Sequence, residues 1–465
     1  MSGEYRRVSF WMDALAASGA DDLQPRPPLV DDVTVDVCIV GAGLTGLWTA
    51  YYLQEADPTL SIAILEKDIA GFGASGRNGG WSSALFPLSA SALESRYGFD
   101  AAVALRRAMV GTVDEVGRAA EAEGIDCDFV RGGTVAFVRS SVQLASARAE
   151  FDEAAHFGVD QVSLLGTEAV RERFGVPSAI AATFTRECAR IQPAKLVRGL
   201  ARAVERRGAT IYERTEVRSW ADGRVDALVD GTPRRVTAGT VVSALEGYGS
   251  AVRQVGRSIL PLYSLMIATE PLSDAVWERI GIEHGQTFTD FRHLLIYGQR
   301  TADNRFAFGG RGARYHLGSA IRPAYDRVGR VTHHLRKALV DLFPAAADAR
   351  ITHEWGGPLG VPRDWHASVG FHAERKEAWA GGYVGDGVST TNLAGRTLAD
   401  LISGASSELT SLAWVNHRSR RWEPEPLRFA GANAGLAGMQ FADAEEQLTR
   451  RASVAARLIR PLTGH

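Results

Sequence analysis

The tightest constraint on the fold is a glycine pattern placed directly after an apolar strand. Residues Val33–Val40 are β-branched and apolar, as in a strand buried on both faces. Gly41-Ala42-Gly43-Leu44-Thr45-Gly46 follows at once, residues 47–54 continue as a helix, and a second apolar strand, 61–65, ends at Glu66. Strand, glycine turn, helix and strand make one βαβ unit, and in that context each glycine has a task. Gly41 permits the tight turn, Gly43 lets backbone N–H groups approach a pyrophosphate, and Gly46 lets the helix pack on the strand. The helix N-terminus, with Leu44 and Thr45 in its first turn, supplies partial positive charge to phosphates. Glu66, followed by Lys67, stands where an acid accepts hydrogen bonds from ribose hydroxyls. A dinucleotide ligand is expected.

The next segment separates FAD from NAD. Gly71-Phe72-Gly73-Ala74-Ser75-Gly76-Arg77-Asn78-Gly79-Gly80 is rich in tiny residues that leave backbone N–H groups free, which suits a second wrap around a long dinucleotide. A nicotinamide enzyme has no use for such a loop. Further along, helical patterns at 91–124 and 142–157 flank a short strand at 133–138, and Pro193 opens a helix ending at Gly208. Strands at 209–213 and 240–245 read as a return to the first domain. Residues 260–268, 288–297 and 305–310 read as an antiparallel sheet. A strand at 379–383, the turn Gly385-Asp386-Gly387 and a helix at 392–402 follow, and the tail carries a helix-like stretch at 443–458.

These motifs resemble the D-amino-acid oxidase superfamily of FAD enzymes, which includes glycine and sarcosine oxidases. Within it, Gly73-Ala74-Ser75-Gly76-Arg77-Asn78-Gly79-Gly80 and the early Ser9-Phe10-Trp11 look most like the γ-glutamylputrescine oxidoreductase branch. The resemblance runs in motif order from Ser9 to Gly404 and includes Trp355-Gly356-Gly357. It implies an α/β fold with a Rossmann-like FAD-binding domain assembled from residues 31–95, 192–255 and 349–406. An α+β substrate domain with a mainly antiparallel sheet, 96–191 and 256–348, is implied between them, with 407–465 as a docking tail. It further implies that Val217 contacts the adenine through its backbone. Gly385, Asp386, Gly387, Val388 and Thr390 would lie by the flavin pyrimidine ring, at a helix N-terminus able to stabilise anionic reduced flavin.

Some relatives attach FAD covalently through a cysteine near the C-terminal flavin segment or a histidine in the early loop. Here the last cysteine is Cys188 and residues 71–81 hold no histidine, so non-covalent FAD is expected. Sarcosine oxidase relatives also use a lysine near the flavin for reaction with oxygen. The four lysines, Lys67, Lys195, Lys337 and Lys376, all lie outside the matching region at 305–315, where Arg311 or His316 could supply positive charge instead. Candidate walls of the reaction pocket are Trp81, Tyr263, Tyr297, Trp355, Trp365 and His366, each of which could equally be core packing.

The expected chemistry is hydride transfer from an amine-bearing carbon to flavin N5, with the imine hydrolysed to a carbonyl. O2 is the expected acceptor, giving hydrogen peroxide, with another acceptor open. Relatives such as glycine oxidase carry Trp-x-Gly-Leu-Arg-Pro, whose arginine clamps the substrate α-carboxylate. The segment here is Trp355-Gly356-Gly357-Pro358-Leu359-Gly360, with Leu359 in place of that arginine. An aliphatic side chain cannot pair a carboxylate, so an amine without an α-carboxylate there is expected, any acidic group being held by Arg311 or Arg292. Oxidation of a small α-amino acid or 2-hydroxy acid, a flavin monooxygenase and a non-catalytic FAD-binding subunit stay as alternatives.

Composition adds mainly exclusions. A net charge of −2 gives no electrostatic reason to bind nucleic acid or an anionic membrane. Three cysteines without metal-ligand spacing argue against a disulfide framework or zinc site. No apolar run approaches the ~18 residues of a membrane span. Arg6-Arg7 ahead of Val8-Ser9-Phe10-Trp11 faintly resembles an export signal, but Asp13 interrupts the apolar stretch, and a cytoplasmic location is expected. Nothing sets the oligomeric state.

Overall fold

The computed structural model describes residues 2–463. Two eight-stranded sheets organise it. In the first, six strands run in the order Ser368–His372, Glu377–Gly381, Thr232–Ser243, Val33–Val40, Ile62–Leu65, Thr210–Tyr212, parallel except for the first pair. Arg224–Val229 adds antiparallel to Thr232–Ser243, and Glu216–Ala221 antiparallel to Arg224–Val229. Val33–Val40 is central, and its last four residues are buried, as an apolar strand covered on both faces must be. Helix Leu44–Ala56 lies on this sheet and packs against helix Gly387–Ser403 so closely that a Cβ on Gly395 would meet the Trp48 carbonyl carbon at 2.6 Å.

The second sheet runs Ile351–Val361, Leu260–Thr269, Phe306–Gly310, Ile296–Arg300, Thr287–Asp290, Thr134–Val138, Ala181–Thr185, Val162–Leu165. It is antiparallel apart from Thr287–Asp290 beside Thr134–Val138. Its core is aromatic, with Phe137, Phe288, Phe306, Phe308 and Phe343 buried together. A short ribbon, Trp81–Ser83 with Cys188–Arg190, ties the two halves.

The segment boundaries differ from the sequence reading at two places. Strand Ile351–Val361, assigned above to the FAD-binding segment 349–406, pairs along its length with Leu260–Thr269 and so belongs to the second sheet. Helix Phe99–Ala122, assigned to the substrate segment, buries Leu105, Met109 and Val113 in the core that also holds Leu47, Trp48 and Ile64 of the first. The helix expected at 443–458 is two helices, Leu427–Thr449 and Val454–Thr463, broken where Arg450 takes φ 54°. No described helix is long and apolar enough to cross a membrane.

The early arm is folded into the body. Ser9 caps helix Phe10–Ala17 by accepting from the Met12 N–H, and Phe10, Trp11 and Met12 are buried against Trp355 and Ala194.

Candidate active site

The glycine turn has the geometry its spacing demands. Gly41 sits at φ +108°, where an L side chain is strained, and a Cβ there would lie 2.7 Å from the Ala244 carbonyl oxygen. A Cβ on Gly46 would lie 2.1 Å from the Gly41 oxygen, so only glycine lets the helix approach the turn. Gly43 is the helix N-cap and offers no side-chain cap, which leaves this end open to an anion. Ser75 of the second loop reaches over to accept from the Leu44 N–H at 2.8 Å. Glu66 accepts from the Ala42 and Asp68 N–H groups at 2.9 and 3.0 Å, and burial pushes its carboxyl up to about 7 against those two bonds. The Thr45 hydroxyl lies 3.2 Å from that of Tyr383, and Val217 lies in an apolar cluster with Cys38 and Leu65. Lys67 is paired with Glu216 at the surface, so its side chain turns away from the glycine turn.

The second loop is braced from three directions. Within it, Asn78 donates to the Ala74 and Ser75 carbonyls and accepts from the Gly80 N–H. From the early arm, Ser9 Oγ donates to Gly76 O at 2.7 Å and Trp11 Nε1 to Asn78 O at 2.8 Å. From the second sheet, Gln299 Nε2 donates to Gly79 O at 2.7 Å, and Cβ atoms on Gly79 and Gly80 would strike Tyr297 and Gln299. Arg77 is buried and spends its guanidinium on Phe72 O, Gly356 O and Asp326, at 2.7, 3.0 and 2.6 Å. Trp355 Nε1 donates to Arg77 O. Sequence reasoning missed Gln299 and Asp326, whose partners lie far away in the chain, whereas Ser9 and Trp11 stood out only through the resemblance.

A cavity of about 170 Å³ opens between this loop, the turn 384–388 and the second sheet. Trp81 and Tyr297 line it edge to face at 6.2 Å, and Tyr297 shares a hydrogen bond with Ser264 at 2.8 Å. Leu359, Arg311, Asp386 and Val388 also line it. Gly385, at φ +113°, turns the chain sharply into the helix, and the Thr390 hydroxyl closes the first turn on Asp386 O. Asp386 occupies the N-cap, yet its side chain makes no cap hydrogen bond, and the residue lines the cavity. Burial pushes this carboxyl up to about 6, with the Arg311 charge pulling the other way. Arg311 donates to Val384 O at 3.1 Å and lies over the Trp365 ring at 5.4 Å, and it makes no ion pair among the described residues.

Two candidate pocket walls are corrected. Trp355 lies in a buried aromatic group with Phe10 and Trp11, covered by the early arm, and lines neither the central cavity nor its neighbour. His366 is also buried away from both central cavities. It bonds to Tyr97 and Ala367 O and stacks on His417 at 4.0 Å, and burial lowers it to about 4. Tyr263 and Trp365 line a neighbouring cavity instead. Arg292 is held by Asp290 at 2.7 and 2.9 Å and His316 stacks on Tyr325 at 3.4 Å, and neither faces the central cavity.

The open helix end, the turn that excludes a Cβ and a second loop folded over both fit a dinucleotide with a ring system in the adjoining cavity. An antiparallel domain laid over such a cradle defines a flavin-dependent oxidoreductase. The family model of FAD dependent oxidoreductases matches residues 36–401. The chain belongs to that family, and FAD is its cofactor. It is 30% identical over 403 residues to the γ-glutamylputrescine oxidoreductase of Escherichia coli (strain K12), covering 86% of this chain and 91% of that protein. It is 28% identical to a probable oxidoreductase, OrdL, of Haemophilus influenzae, covering 83% and 86%. Among solved structures, glycine oxidase from Geobacillus kaustophilus superposes with a TM-score of 0.67 at 20% identity, over 83% of this chain and 99% of that one.

Among the described residues, no cysteine or histidine lines the central cavity. Acid precipitation is therefore expected to release intact FAD into the supernatant, and flavin left in the pellet would show a covalent link.

Proposed function

We propose that the protein oxidises an amine that lacks an α-carboxylate at the Leu359 position, giving an imine that water hydrolyses to a carbonyl compound and an amine or ammonia. The reading also takes O2 as the acceptor, with hydrogen peroxide as product. FAD, when bound, supplies the hydride acceptor. The chain's own contribution is orientation and exclusion of water. Trp81 and Tyr297 wall the reacting carbon, Asp386 attracts the amine nitrogen, and Arg311 holds an acceptor oxygen farther along the substrate.

The observation that carries this reading is the pairing of an aliphatic residue, Leu359, with an acid, Asp386, on the same cavity wall. An acid there attracts a cation and repels a carboxylate, and an unpaired carboxylate beside Leu359 would cost several kcal/mol, on the order of a buried unpaired charge. The unpaired guanidinium of Arg311 favours a second reading, in which it clamps the carboxylate of a small α-amino acid. The deciding measurement is kcat/KM for glycine, sarcosine and D-alanine beside alkylamines and polyamine-derived amines. The amines are expected to lead by about tenfold or more, and a lead of that size for the α-amino acids would establish the second reading.

A further inference from the structure

A second cavity, of about 330 Å³, lies directly behind the first and shares Arg311, Leu359 and Val384 with it. One side is made by the ends of two strands, with Leu260, Leu262 and Val361. The other side is the tail: Trp422 and the face of helix Leu427–Thr449 that carries Gly431, Leu436 and Met439. This wall lies beyond residue 401, where the family match ends.

The tail wall is fixed. Trp422 Nε1 donates to Val361 O at 2.7 Å, and the Arg257 and Trp422 backbones are joined at 2.8 Å. Glu425 accepts from the Tyr315 hydroxyl at 2.6 Å. The charged groups around the cavity neutralise one another, Arg363 with Glu423 at 3.0 Å and Arg428 with Glu425 at 3.1 Å. What remains inside is mainly apolar, with Arg311 at the junction and Tyr263, whose buried hydroxyl makes no hydrogen bond among the described residues, on the wall.

The glycines of the tail helix mark the hollow. Glycine is a poor helix former and needs a reason in a helix interior. Gly438 has one, because a Cβ would meet Ile459 at 2.7 Å. Gly431 faces the cavity, and a Cβ there would meet nothing within 4 Å. Apolar space of this kind takes up apolar ligands.

Resting on the proposed amine oxidation, we propose that this tail-walled cavity binds the apolar arm of the substrate. The substrate class is then an amine whose nitrogen sits by Asp386 and whose extended aliphatic or aromatic arm passes Arg311, between Leu359 and Val384, into the tail.

The test uses the full-length FAD-loaded protein and n-alkylamines of increasing length, titrated anaerobically. Perturbation of the flavin spectrum gives Kd, and bleaching reports turnover. In the native protein Kd is expected to fall with length, roughly fourfold per buried methylene, until the cavity is full. Gly431→Leu fills the cavity from the tail, touches nothing in the first cavity, and is expected to abolish the length dependence while short amines bind as before. Gly431→Ala, adding one methyl, should stay close to native. Met439→Trp gives the same reading should Gly431→Leu lose FAD or fold poorly. A Kd independent of length in the native protein, or an unchanged length dependence in both filled variants, would overturn the proposal. Length-dependent binding without bleaching by any amine would instead count against amine oxidation and leave the cavity's role as an apolar binding site supported.

Discussion

Gly46→Ala is expected to leave a folded protein that has lost most of its affinity for FAD. The added Cβ would lie 2.1 Å from the Gly41 oxygen and 3.0 Å from Ile39 Cγ2, and the first of these is backbone that cannot rotate aside. Helix Leu44–Ala56 must move off the strand, taking with it the Leu44 N–H that Ser75 accepts from. Overpacking of this kind costs about 1–3 kcal/mol, and it falls on the elements expected to cradle the pyrophosphate. FAD affinity is expected to drop by roughly one to two orders of magnitude, read as the flavin-to-protein absorbance ratio after purification and as Kd by titration of the apoprotein. Circular dichroism separates this from unfolding. Gly111→Ala, in helix Phe99–Ala122 with nothing within 4 Å of the new Cβ, is the control expected to keep FAD. Native FAD affinity in Gly46→Ala would show that the turn does not hold the cofactor.

The βαβ start was legible because every signal in it is local: an apolar run, glycines at fixed offsets and an acid at a strand end. What failed depended on partners far away in the chain. Strand Ile351–Val361 contains Gly356-Gly357-Pro358 and pairs with residues some ninety positions earlier, so no local pattern says which sheet it joins. Trp355 has the chemistry of a pocket wall, but the burial of its ring is decided by Phe10 and Trp11, at the other end of the sequence. His366 is likewise drawn into a group with Tyr97 and His417. The break at Arg450 has no glycine or proline to announce it.

The candidate site was legible in its residue types and not in its wiring. Leu359 was notable as a departure from a motif, and the geometry adds that Asp386 shares its wall and Arg311 bridges two cavities. In the sequence Asp386 stood out only as part of a glycine-rich turn expected by the flavin pyrimidine ring. Its side chain leaves the cap unmade, after a Val384-Gly385 turn in which both residues take positive φ, and the residue lines the cavity.

That carboxyl carries the second large effect. Asp386→Asn keeps the size of the side chain and removes its charge, so a substrate amine loses one charge-assisted hydrogen bond, on the order of 1.5–3 kcal/mol. The expected result is a fall in kcat/KM for amines of roughly tenfold to a hundredfold, with FAD content unchanged. The pH profile separates this from a structural role. Burial pushes the Asp386 carboxyl up to about 6, so it is ionised above that pH and neutral below it. The native enzyme should therefore lose kcat/KM as pH falls through about 6, and Asp386→Asn should lack that limb, its deficit shrinking at acid pH as the native carboxyl takes up its proton. The Arg311 charge holds the carboxyl below the value burial alone would give, so Arg311→Leu should move the acid limb to higher pH. A variant with native kcat/KM and the same limb near pH 6 would remove Asp386 from the binding of the amine.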